Sequence, residues 1–131
     1  MSALRPFRRP RLWLALWLAM VATVAALSLL PADDLPPIAL PHIDKLEHLL
    51  GYFALSAGAV MLFATRRAQA EAALGLIGLG VAIELAQAAL TATRSADGFD
   101  ALANTLGVLL GQRLAPTPLA RLWLGVDRRL F

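Results

Sequence analysis

The chain has no cysteine, a single tyrosine and two histidines, and only 16% of its 131 residues are charged. The missing thiols exclude disulfides and thiolate-bound metals. The shortage of charge excludes an ordinary soluble domain, in which about 25% of residues are charged; here 59% are hydrophobic instead. That composition implies an all-α integral membrane protein. A chain of 131 residues is one domain, with room for four helices across a hydrocarbon core about 30 Å thick. The formal net charge of +3 invites a nucleic-acid reading, which the placement of the charges removes below.

The chain starts with a basic leader, Arg5, Arg8, Arg9 and Arg11, and an uncharged run predicted as a membrane helix over 12–30. Trp13 and Trp17 are expected at the interface, where aromatic side chains are favoured. A cleaved signal peptide shares the basic start, but this run is long for one and no convincing small-x-small cleavage site precedes Asp33. Residues 31–41 hold four prolines, which lack the amide hydrogen a helix needs, so a loop follows. His42 at its end reads as a solvated loop residue.

A second helix is predicted over 43–64, opening on Asp44 at the positive end of the helix dipole. Arg66 and Arg67 are expected to close it, and the short turn RRAQAE makes the third helix, 72–90, an antiparallel neighbour. Gly75, Gly78, Gly80 and Ala82 offer that helix small surfaces for close approach. Residues 91–98 form a second loop. The fourth helix, about 100–115, is short for an independent span, so its first turn is expected to pack against its neighbours below the surface. Gly107 and Gly111 lie on the same face as Asp100 and Asn104 and read as helix-packing residues within the chain, with dimerisation the weaker use. The tail, 118–130, carries Leu119, Leu122, Trp123, Val126 and Leu130 on one stripe and reads as an interfacial amphipathic helix.

These loops set the orientation. Arg5, Arg8, Arg9, Arg11, Arg66, Arg67, Arg113, Arg121, Arg128 and Arg129 fall on one side, and Lys45 and Arg94 on the other. The arginine-rich side is cytoplasmic by the positive-inside rule, with both termini inside a cytoplasmic (inner) membrane. The basic excess therefore reports topology, and no nucleic-acid partner is expected.

The same topology brings two stretches together at the outer surface. Asp44, His48 and Tyr52 repeat every four residues and share a face, with Lys45 about a quarter-turn away. Glu84 and Gln87 end the third helix, Asp100 and Asn104 open the fourth, and Arg94 and Asp97 lie between. Ionisable groups at such depth are costly and are kept where they meet each other, a water-filled cavity or a substrate.

The DKLEH segment with Tyr52, followed by ELAQ and RSADGFDALANTLGVLLG, resembles the VanZ-like membrane protein family over residues 44–111. The resemblance marks Asp44, Lys45, His48, Tyr52, Glu84, Gln87, Arg94, Asp97, Asp100, Asn104, Gly107 and Gly111. It implies a multi-pass bacterial envelope protein of a family associated with resistance to the glycopeptide teicoplanin.

Three functions are open. In the first, the outer site processes or binds an envelope lipid or cell-wall component. His48 is then the acid/base, Asp44, Glu84 or Asp100 assist it, and Lys45 and Arg94 hold an anionic head group, with Tyr52, Gln87, Asp97 and Asn104 lining the site. In the second, these groups are hydrogen-bond partners in a non-enzymatic binding or assembly module, with Asp44–Lys45, Arg94–Asp97 and Glu84–Gln87 as local pairs. The third, a small transporter, ranks lower because the acids cluster at one surface. One histidine among scattered carboxylates is a weak metal signature, and no metal or other cofactor is assigned.

Overall fold

Proline begins the first helix without losing a hydrogen bond, since the first amides of a helix have no intrahelical acceptor. In a computed structural model that describes residues 2–30, 43–90 and 96–131, helix α1 spans Pro10–Leu29. Helix α2 spans Ile43–Leu62, α3 Arg66–Leu90 and α4 Gly98–Gln112. A single 3-10 turn, Pro118–Arg121, then leads into α5, Leu122–Leu130. The protein is all-α: the described residues hold no strand, only an isolated bridge between Leu4 and Phe63. The expected loop at 31–41, His42 and Arg94 lie outside the described residues.

The helices alternate in direction. Trp17 Nε1 donates to the Leu55 carbonyl, and the Ser28 carbonyl near the end of α1 accepts from Gln87 near the end of α3. Helices α2 and α4 run side by side in the same direction, so that Lys45 meets Asp100 and, two turns further on, Ser56 donates to the Val108 carbonyl. Their approach is set by two glycines. A Cβ on Gly107 would run into the Leu49 carbonyl oxygen, and one on Gly111 would lie 2.6 Å from Ser56 Cβ and 2.8 Å from the Ala57 amide nitrogen. The GxxxG pair thus packs within the chain, on the face it shares with Asp100 and Asn104.

Three expectations change. Arg66 and Arg67 begin α3 instead of closing α2: Thr65 Oγ1 accepts from the Ala68 amide, and α2 stops at Leu62. A hydroxyl that satisfies a free first-turn amide outweighed the hydrophobic pattern that suggested a start near 72. Trp13 and Trp17 are buried, because each indole N–H finds an acceptor inside, at Asp127 Oδ1 (2.8 Å) and at the Leu55 carbonyl (2.9 Å). Of the four small residues expected to give α3 its packing surface only Gly80 is buried; Gly75 and Gly78 have open space around them and Ala82 is exposed.

Among the described residues, two helices, α1 and α3, are long and apolar enough to cross a membrane. Helix α4 has 15 residues, about 22 Å at 1.5 Å per residue. Leu16, Leu18, Leu74, Leu85, Leu90, Phe99, Leu102 and Leu109 all point outward. The tail lays Leu119, Leu122, Val126 and Leu130 on its outer face and buries Ala120, Leu124 and Asp127 beneath it. Asp127 ties the tail to the start of α1, where its carboxylate accepts from the Arg8 amide (2.6 Å), the Arg9 amide (3.2 Å) and Trp13 Nε1. Arg9, at the N-cap of α1, supplies no side-chain cap of its own, so a residue more than 110 positions later does that work.

Candidate functional site

At the other end, the beginnings of α2 and α4 and the end of α3 bring their polar residues together. Asp97 caps α4 by accepting from the Phe99 amide, and its own amide donates to Glu84 Oε2 (3.1 Å), which ties α3 to the start of α4. Asp100, in the first turn of α4, faces α2.

Lys45 is the hub of the cluster. Its ammonium donates to Asp44 Oδ2 (3.1 Å), Asp97 Oδ2 (3.0 Å) and Asp100 Oδ1 (2.9 Å). A lysine has three N–H donors, and all three are engaged. Lys45 is therefore no free clamp for an anionic head group, because three carboxylates already hold it. It also keeps the Asp97 carboxyl below the usual carboxylate range, helped by the hydrogen bond from the Phe99 amide. Asp44 shares a helical face with His48 but is largely exposed and pairs only with its neighbour Lys45. Lys45, a quarter-turn away, is the residue that crosses to α4.

His48 lies one turn deeper and is mostly covered. Nδ1 is 3.0 Å from Asn104 Oδ1, and Nε2 is 3.6 Å from Asp100 Oδ2. An amide oxygen can only accept, so Nδ1 carries a hydrogen toward Asn104, and Nε2 faces Asp100. The expected orienting groups, Asp44 or Glu84, are replaced in that role by Asn104.

Below His48 the cluster closes on buried groups. Tyr52, Glu84, Gln87 and Asn104 are 4% exposed or less. Gln87 Nε2 donates to the Ser28 carbonyl at 2.7 Å. Asn104 and Tyr52 pack against Gly80, one turn before Glu84. Among the described residues, three buried side-chain atoms have no hydrogen-bond partner: Tyr52 Oη, Glu84 Oε1 and Asn104 Nδ2. An unpaired buried polar group costs about 1–3 kcal/mol, so three in one place need an explanation. His48, Glu84 and Asp100 each present one ligand atom within 4.8 Å of the other two, the one such group among the described residues.

The structure thus joins Asp44, Lys45, His48, Tyr52, Glu84, Asp97, Asp100 and Asn104. Gln87 is turned toward α1, and Arg94 lies outside the described residues. Ser28 and Asp127 carry contacts that no motif announces. The signal for Asp127 is its position as a lone acid in a basic tail. No family model, curated protein or solved structure matches the chain.

Proposed function

We propose that this is a VanZ-like multi-pass protein of the bacterial inner membrane, with four helices in the bilayer, both termini cytoplasmic, and an outer-face site for an envelope lipid or cell-wall component. The observation that carries the reading is the group of unpaired buried atoms, Tyr52 Oη, Glu84 Oε1 and Asn104 Nδ2, beside the mostly covered His48 and Asp100. Polar side chains kept only for packing would satisfy one another, and these leave capacity for a ligand. The membrane setting is supported by the apolar α1 and α3 and by the leucines that face outward. The orientation is supported by the arginines of the leader, the α2–α3 turn and the tail, which lie at the end away from the site.

In this reading His48 is the proton-handling group. Asn104 fixes its tautomer, Nε2 is the working atom, and the Asp100 carboxylate at 3.6 Å stabilises the imidazolium once a proton is taken. The family's link to glycopeptide resistance suggests a cell-wall precursor as the ligand.

Mass spectrometry of lipids retained by the purified chain tests this. The natural chain is expected to hold an envelope lipid that His48→Ala and Asp100→Asn lose while keeping their helical circular dichroism. Equal retention in all three would overturn it. For the topology, single cysteines at Ala96 and Ala68 are expected to react with an impermeant thiol reagent only at Ala96; reaction at Ala68 alone would reverse it.

A second reading, in which the polar groups only hold the helices together, has the saturated Lys45 in its favour. It predicts that both substitutions unfold the chain.

A further inference from the structure

The charge of the outer cluster favours a cation. Among the described residues, Asp44, Glu84, Asp97 and Asp100 set four carboxyl groups against the ammonium of Lys45, whose three donors are engaged by three of them. The fourth, Glu84, is 4% exposed and its Oε1 has no partner. Asp100 divides its oxygens: Oδ1 takes Lys45, and Oδ2 is turned to His48 Nε2. Nε2 and Oδ2 face each other at 3.6 Å, a spacing that a proton on Nε2 satisfies in the free site and an ion satisfies in its place. His48 is held at its other nitrogen by Asn104 Oδ1, as metal-bound imidazoles are held by an outer hydrogen bond that fixes tautomer and ring orientation.

We propose that His48, Glu84 and Asp100 bind a divalent transition ion of the zinc or manganese class. One imidazole and two carboxylates form a mixed nitrogen and oxygen donor set that suits these ions better than a hard, oxygen-seeking magnesium ion. The ligands come from α2, α3 and α4, so the ion fastens three helices at one point. Ligand atoms about 2.1 Å from a tetrahedral ion lie about 3.4 Å apart; His48 and Asp100 are already at 3.6 Å, and side-chain rotation of Glu84 closes the rest. Three protein ligands leave a fourth position for water or for an oxygen of an anionic envelope group, which gives the negatively charged cluster a means of holding an anion. The inference rests on the ligand-binding reading of the same site and names what that site uses.

The test uses the full-length chain in detergent, stripped with a chelator and dialysed against Zn²⁺, Mn²⁺ or Mg²⁺ alone, with metal content measured by mass spectrometry. One ion per chain is expected, held more tightly for zinc than for manganese and weakest for magnesium. His48→Ala, Glu84→Gln and Asp100→Asn are expected to abolish binding, and His42→Ala to keep it. Asn104→Ala touches the imidazole but not the ion, and an outer-shell loss of this kind is expected to weaken binding about 10-fold. Should the ligand variants fail to fold, X-ray absorption of the zinc-loaded natural chain decides: one imidazole with oxygen neighbours is expected. No bound ion, unchanged binding in the three ligand variants, or a first shell without imidazole would overturn the proposal. The two readings fail separately. Lipid retained by a chain that takes up no ion removes the ion and keeps the lipid site, whereas an ion without lipid does the reverse.

Discussion

Two carboxylate centres sit at opposite ends of the bundle. Asp127 is fully buried and satisfied, its two oxygens accepting from the Arg8 and Arg9 amides and from Trp13. The outer centre collects four carboxyl groups and leaves Glu84 Oε1, Tyr52 Oη and Asn104 Nδ2 without partners. Asp127 and Glu84 are both buried, so depth alone does not mark a functional group. What separates them is completeness: the inner carboxylate has enough donors to be a fastener, and the outer cluster keeps unsatisfied capacity.

The largest expected effect removes the fastener. Asp127→Ala leaves two backbone amides and an indole N–H without their acceptor and is expected to lower the melting temperature more than any single substitution in the outer cluster. Protease should then cut the tail before the rest of the chain. If Asp127→Ala melts like the natural protein, the contrast between the two centres fails.

Next is Gly107→Ala. Its Cβ meets backbone of α2, which cannot turn aside as a side chain can. Overpacking of this kind costs about 1–3 kcal/mol, here at the upper end. By parting α2 from α4 it should also separate His48 from Asn104, so lipid retention is expected to fall together with stability.

Acid sharpens the comparison. Burial alone would raise the Asp127 carboxyl, but the hydrogen bonds from Arg8, Trp13 and Arg9 and the charge of Arg8 outweigh it and hold the group below the usual carboxylate range. A carboxyl depressed in the folded state contributes its full stability above its unfolded value, about 4, and loses it as pH falls through the lower folded value. Tryptophan fluorescence and tail proteolysis should therefore change below about pH 4, and Asp127→Asn should remove that acid-dependent step. Asp97, lowered by Lys45, moves in the same direction at the outer end.

The smallest expected effect on stability is the most telling for function. Tyr52→Phe deletes a hydroxyl that has no partner, so the melting temperature is expected to hold or rise slightly while ligand retention falls. A marked loss of stability would mean that the hydroxyl serves the fold.

Much of this was legible in the chain. A step of four, three and four places Asp100, Asn104, Gly107 and Gly111 on one face, and the structure turns that face to α2. The amphipathic tail and the collection of acids at one end follow from hydrophobic pattern and charge in the same way. Periodicity tells which residues share a face, and it cannot tell what that face meets. Lys45 was assigned to an anionic ligand because nothing in DKLEH reveals that Asp97 and Asp100 reach it from about fifty residues away. Trp13 and Trp17 were placed at the interface because their acceptors, Asp127 and the Leu55 carbonyl, are long-range. The start of α3 was missed because one hydroxyl, that of Thr65, decided it.

The glycine contacts have a mechanical consequence. Gly107 and Gly111 set α4 against the backbone of α2, whereas Gly80 sets α3 against the side chains of Asn104 and Tyr52. Backbone against backbone is a fixed stop, and side chains can swing. Helices α2 and α4 therefore form the stiffer pair around the cluster, and α3, carrying Glu84, is seated on them through side chains.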